Sequence, residues 1–191
     1  MGAAKTAKPV KLFAGLLGAD VDLLRRARQL LSRRYGRVDL ESDIWEFVST
    51  DYYESEMGRG LKRWFIAFEP LLAPDRLAEV KLETNAIEAE IADAAMDPHI
   101  IRPVNIDPGY LNLGKLILAS VKDHAHRIYL GAGIYGEVTL RFTDGAWQAW
   151  PWTFPDYRLP EYHAFFDRLR ARYREQREQA AGDSPAPREH E

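Results

Sequence analysis

The chain contains no cysteine. That single absence removes disulfides, thiolate nucleophiles and Cys-ligated zinc, so any metal would have to be held by carboxylates and the five histidines. No apolar run approaches the roughly 20 residues that span a bilayer, and the first ten residues lack the apolar core of a signal peptide. A cytoplasmic protein with no membrane partner is therefore expected. Charge of one sign is also missing: 26 Lys and Arg stand against 29 Asp and Glu, for a formal net charge of -3. Such a balance gives nucleic-acid binding no global electrostatic footprint. There is no His-Glu-x-x-His string and no Ser-His-Asp order to suggest a known hydrolytic constellation.

What is present describes a packed domain. Hydrophobic residues make up 46% of the 191 residues and aromatic residues 12%, enough for a sizeable core. One α+β domain over 1–179 is expected, followed by a disordered tail over 180–191, where the composition turns to Gly, Ser, Pro and charge. Val10 to Leu17 reads as a buried strand, and Asp20 as the N-cap of an amphipathic helix over 21–35 that Gly36 stops. The arginines of that helix read as a solvated face. Ser42 to Ser49 and Lys62 to Glu69 read as antiparallel neighbours, and Pro74-Asp75 opens a second helix, to about Ala95. Val104 to Ile106 is a short strand before an Asp107-Pro108-Gly109 turn.

The order strand, helix, strand, strand, helix, strand predicts a ferredoxin-like split βαβ core with an antiparallel sheet. Leu113, Leu116, Ile117, Ser120 and Val121 fit a short helix. Strands over 126–130 and 134–143 follow, and Asp144-Gly145 turns a C-terminal β-hairpin into 146–150. A Pro- and aromatic-rich strap, PWTFPDYRLPEY, leads to a C-terminal helix over 162–179.

Several motifs carry a resemblance. The opening VKLFAGLL, the segments SDIWEFVSTDYYESEMG, KLETNAIE and VNIDPGYL, and the block ASVKDHAHRIYLGAGIYGEVTLRF ending in PWTFPDYR occur in order across 9–173. Together they resemble the bacterial family called domain of unknown function 4416. The resemblance implies no activity, cofactor or site residue, but members are sometimes labelled GTP-binding proteins. This chain gives that label no support: it has neither the Gly-x-x-x-x-Gly-Lys-Ser/Thr loop that cradles phosphates nor an Asn-Lys-x-Asp guanine reader. Its one glycine cluster, Gly131 to Gly136, lies between two predicted strands instead of opening a helix, so no helix N-terminus backs it.

Four groups of residues carry candidate chemistry. In Lys122-Asp123-His124-Ala125-His126-Arg127, two His at i and i+2 would share one side of a strand. His124 and His126 with Asp107 form a candidate divalent-metal set. Lys81, Thr84, Asn85 and Glu88 form a row on the second helix, expected on its outward face. The loop from Asp51 to Gly58 concentrates carboxylates and tyrosines, and Trp152, Phe154, Asp156, Tyr157 and Arg158 could close over a ligand. The leading expectation is a pocket for a small phosphate- or carboxylate-bearing molecule, bound by Lys81, Asn85, Asp107, Tyr110, Lys122 and Arg127. The alternatives are a metal-assisted or general acid–base hydrolase with His126 and Glu137 as catalytic pair, and an RNA- or protein-interaction module using the sheet face.

Overall fold

The computed structural model describes residues 2–50, 54–95 and 100–182. Strand β1 (Val10–Gly18) is buried along its length because both of its faces are apolar. Leu12, Ala14 and Leu16 point to one side and Phe13 and Leu17 to the other. Helix α1 (Val21–Tyr35) starts where the Asp20 carboxylate accepts the Asp22 and Leu23 N–H groups at 2.7 and 3.4 Å, and it ends at Gly36, whose φ is 95°. Its arginines pair with acids, Arg28 with Glu41 and Arg34 with Glu83 among them, as a solvated face would.

Strands β2 (Val38–Glu41) and β3 (Trp45–Glu46) replace the single strand expected over 42–49, and both pair antiparallel with β4 (Lys62–Leu72). Between β3 and β4 lies one helical turn, α2 (Glu54–Met57). A 3-10 turn at Pro74–Arg76 then opens α3 (Leu77–Ala94). Five more strands follow: β5 (Asn105–Leu111), β6 (Lys115–Ser120), β7 (Ile128–Gly131), β8 (Ile134–Thr143) and β9 (Ala146–Ala149). Helix α4 (Pro160–Gly182) closes the described chain, so 180–182 continue the helix and do not begin the predicted tail.

The result is an α+β fold on one antiparallel sheet, ordered β2-β4-β1-β5-β6-β8-β7, with β3 also on β4 and β9 also on β8. Helices α1 and α3 cover one face above Leu16, Ile66, Phe68 and Ile106. The other face packs Phe13, Phe65, Leu118 and Leu140 under Phe165, Phe166 and Leu169 of α4. Among the described residues, no helix is long and apolar enough to cross a membrane.

Two expectations fail in one region. Asp107-Pro108-Gly109 is no turn but the middle of β5, paired with β1 from Lys11↔Leu111 to Leu17↔Asn105. A strand accepts Pro108 because β6 reaches β5 only at Gly109, Tyr110 and Leu111, leaving the earlier edge, among the described residues, without a strand neighbour that needs a donor. Gly109 is required there, since a Cβ would lie 2.4 Å from the Ile117 carbonyl. The predicted helix over 113–121 is strand β6. Its residues are apolar on both faces, Leu116 and Leu118 toward α4 and Ile117 and Ala119 toward α3, which erases the period-two signal.

Candidate functional site

The site forms in a gap along the outer edge of β8. That edge pairs with β7 only as far as Gly136 and with β9 only from Leu140, so among the described residues 137–139 have no strand neighbour there. The strap fills part of the gap. The Trp152 indole N–H donates to the Val138 carbonyl at 3.2 Å and the Thr153 hydroxyl to the Thr139 carbonyl at 2.6 Å, satisfying backbone groups that a strand would otherwise take.

Glu137 occupies the same gap with its side chain 1% exposed. Its Oε2 accepts from Arg127 Nε at 2.7 Å and lies 3.1 Å from His126 Nε2, and its Oε1 accepts from the Thr139 hydroxyl at 3.2 Å. Arg127 also donates to Ser120 Oγ and the Lys122 carbonyl, at 2.7 and 2.9 Å, which binds the loop between β6 and β7 to the sheet. Planar groups then stack in a row. His124 lies on His126, His126 on Trp152 and Trp152 on Trp150, with interplanar angles of 6°, 11° and 3°, and the Arg141 guanidinium sits 4.7 Å from the Trp150 centroid.

The inner end of this row walls a trench of about 280 Å³. Its lining is made by His126, Glu137, Trp150 and Trp152, by Ile128 and Leu130 of β7, and by Leu77, Tyr110, Lys115 and Ile117. A second hollow of about 400 Å³ adjoins it, sharing Pro74, Tyr110 and Lys115 and adding Lys8, Tyr173 and Arg177. Lys115 therefore stands between the two. Its side chain has no hydrogen-bond or ion-pair partner among the described residues. Burial pushes the neighbouring Tyr110 phenol above its ordinary pKa and keeps it protonated.

Of the residues expected to form the site, Tyr110, His126 and Glu137 line the trench, and Lys122 and Arg127 hold its wall together. The others lie elsewhere. Lys81 and Thr84 are buried, correcting the outward face expected of them: Lys81 Nζ donates to the Ile106 carbonyl at 2.8 Å, and Glu88 accepts the Ile106 N–H at 2.7 Å. These two α3 side chains complete the edge of β5 that β6 does not reach. Asn85 on the same helix is outside the lining of both hollows.

Asp107 belongs to a cluster on the α4 face, separate from the histidines. It accepts from Arg63 at 3.3 Å and from Asn105 at 2.8 Å. Among the described residues, no three His, Asp or Glu side chains come together as a metal site. The set His124, His126 and Asp107 thus does not assemble. The histidines also lie in a turn before β7 and not on it, stacked on each other instead of converging. Of the acidic loop, 51–53 fall outside the described residues, and Met57 is buried against Phe47 and Leu61.

The Asp107 cluster was not legible as such. Arg63, 4% exposed at its side chain, bridges Asp107 and Asp156 at 3.3 Å each, with Tyr157 and Tyr162 beside it. Gly15 makes room, because a Cβ there would lie 3.2 Å from an Arg63 guanidinium nitrogen. Burial raises the Asp156 pKa against the pull of Arg63, whereas for Asp107 the charges of Arg63 and Lys81 and the Asn105 hydrogen bond outweigh burial and lower it. The available signal was Arg63 itself, a charge at the same strand parity as Phe65 and Ala67. Asp156 anchors the strap that carries Trp150 and Trp152 to the trench.

A family model described as Domain of unknown function (DUF4416) matches residues 8–173. No curated protein matches the chain.

Proposed function

We propose, for a chain that belongs to the family of domain of unknown function 4416, a role in binding a small anionic molecule in the trench between Tyr110 and Trp152. One observation carries the reading: Lys115 presents an ammonium group without a partner among the described residues, beside a protonated Tyr110, where two hollows meet. Cations in folded proteins are usually paired or well solvated, and a half-buried free one lining a concavity favours a phosphate or carboxylate. His126, held by Glu137, offers a second polar contact in the lining of the trench.

The hydrolase alternative draws on that same contact, since a carboxylate that fixes an imidazole is the arrangement a general base needs. Glu137 is also committed to Arg127, which favours binding. An interaction module that reads partners on an open sheet face is disfavoured, because α1 and α3 cover one face of the central strands and α4 the other. The order β2-β4-β1-β5, with α1 and α3 on one side, supports a ferredoxin-like core.

Thermal unfolding with inorganic phosphate, carboxylates, nucleotides and divalent metals tests the proposal. A ligand at 100 times its Kd stabilises by about 2.7 kcal/mol, on the order of 5–10 °C for a chain this size. The expected result is a rise with an anion that Lys115→Met abolishes without changing the unliganded midpoint. A rise with metal alone would move the assignment to the hydrolase, and no rise with any anion would sink the proposal.

A further inference from the structure

The two hollows that share Lys115 differ in chemistry. The trench is walled by Leu77, Ile117, Ile128, Leu130, Trp150 and Trp152, and the one carboxylate among its described lining residues, Glu137, is occupied by Arg127 and His126. Two of these side chains expose apolar surface with no structural need to do so: Ile128 is 72% and Leu130 44% exposed on the edge strand β7. Being two apart on one strand, they face the same way, onto the trench. Leu130 lies over Gly136, where a Cβ would come within 3.0 Å of it. The adjoining hollow is the opposite case. Among the described residues it is lined by Lys8, Lys115 and Arg177 and by no carboxylate.

An apolar channel that opens at one end into a carboxylate-free cationic basin complements one kind of molecule. We infer that the ligand is a soluble single-chain amphiphile, with its phosphate or carboxylate head on Lys115, Lys8 and Arg177 and its hydrocarbon body along Ile117, Ile128, Leu130 and Trp152. This inference rests on the anion-binding role proposed above and adds the apolar half. Transfer of the chain from water into the trench supplies affinity, and the cations fix its direction. The concave shape, lined by residues of both β7 and the strap, suits one chain better than a flat bilayer.

Calorimetric titration of the full chain with ethyl, butyl, hexyl and octyl phosphate, each as monomer, separates the two parts. Affinity should rise about two- to fourfold for each methylene, the upper figure corresponding to complete burial. Ile128→Ser with Leu130→Ser, a double change at exposed positions, should flatten that rise, so that octyl phosphate binds little better than ethyl phosphate. Lys115→Met should weaken every member of the series about equally. Binding that does not depend on chain length would overturn the amphiphile and leave the anion reading standing. Octanol binding as tightly as octyl phosphate would overturn the anion reading, and the amphiphile with it. No binding of any member would remove both. Sedimentation with phosphatidylglycerol vesicles, without saturable binding of monomeric octyl phosphate, would assign the surface to a bilayer and refute the inference.

Discussion

Replacing Glu137 by Ala would test whether the carboxylate under the trench is chiefly a structural counter-charge. Its side chain is 1% exposed and that of Arg127 5%, so the pair is removed from water. Breaking such a pair by deleting one partner costs about 3–5 kcal/mol, because the other charge is left buried. Arg127 would keep Ser120 Oγ and the Lys122 carbonyl, which places the expected loss near the lower end, about 3 kcal/mol. For a chain of this length that is a fall of about 6–12 °C in Tm. Arg127→Ala should cost a similar amount, leaving Glu137 with His126 and Thr139. The double variant should lose clearly less than the two single losses together, with a coupling of about 2 kcal/mol. Urea unfolding followed by near-ultraviolet circular dichroism suits the measurement, since the stacked Trp150 and Trp152 rings lie in the same wall. Additive effects, or single losses under about 1 kcal/mol, would show that the pair is not buried as described and would return Glu137 to the list of free catalytic groups.

Gly109→Ala should destabilise strongly, by about 2–3 kcal/mol or more in urea titration, because the new methyl meets a backbone oxygen and the Phe13 and Leu118 side chains all inside 3.0 Å; a neutral result would refute the close approach of β5 and β6. Acid dependence should be two-sided. Burial raises the pKa of Asp156 and Glu88, so the folded state holds their protons more tightly and stability should fall as pH rises from about 4 toward neutral; Asp107 and Glu83, lowered by their basic partners, lose their contribution as pH drops below about 4. Denaturant midpoints across pH 3–8 should therefore peak on the acid side of neutral, and Asp156→Asn should shrink the decline above the peak; an unchanged decline would remove Asp156 as its source.

The sequence carried the signals that depend on near neighbours. Asp20 as a cap, Gly36 as a stop and Asp144-Gly145 as a turn all rest on contacts within a few residues, and the last has φ of 52° and 80° as a two-residue hairpin requires. The Gly131-Ala132-Gly133 corner between β7 and β8 is of the same kind, with three successive positive φ values. What failed depends on long-range pairing. Pro108 and Gly109 look like a turn until β6 is known to stop at Gly109, and Leu116 to Ser120 look helical until both faces of β6 are known to be covered. The site follows the same division. His126 and Glu137 are singled out because imidazole and carboxylate stand out among strand-forming residues, whereas Lys115 lies in a segment that reads as a short helix and Arg63 inside the strand predicted over 62–69.

Inside the sheet, β5 and β8 each have a stretch of edge that no described strand covers, and the way each is completed separates structural from available chemistry. At β5 the Ile106 backbone is taken by Lys81 and Glu88, so the polar row on α3 that invites a ligand is spent on hydrogen bonds a neighbouring strand would have made. At β8 the carbonyls of Val138 and Thr139 are taken by Trp152 and Thr153, and Glu137 is taken by Arg127. A side chain recruited to such a gap is charged or polar, conspicuous in the sequence and no longer free to bind. Lys115 has no such duty. It lies inside the sheet on β6, its backbone is paired with Arg141 of β8, and its ammonium group answers to no residue described. Backbone accounting therefore points away from the residues richest in charge and toward a cation beside the hollows whose charge no described residue uses, which is why we propose the ligand on Lys115 and not on Lys81.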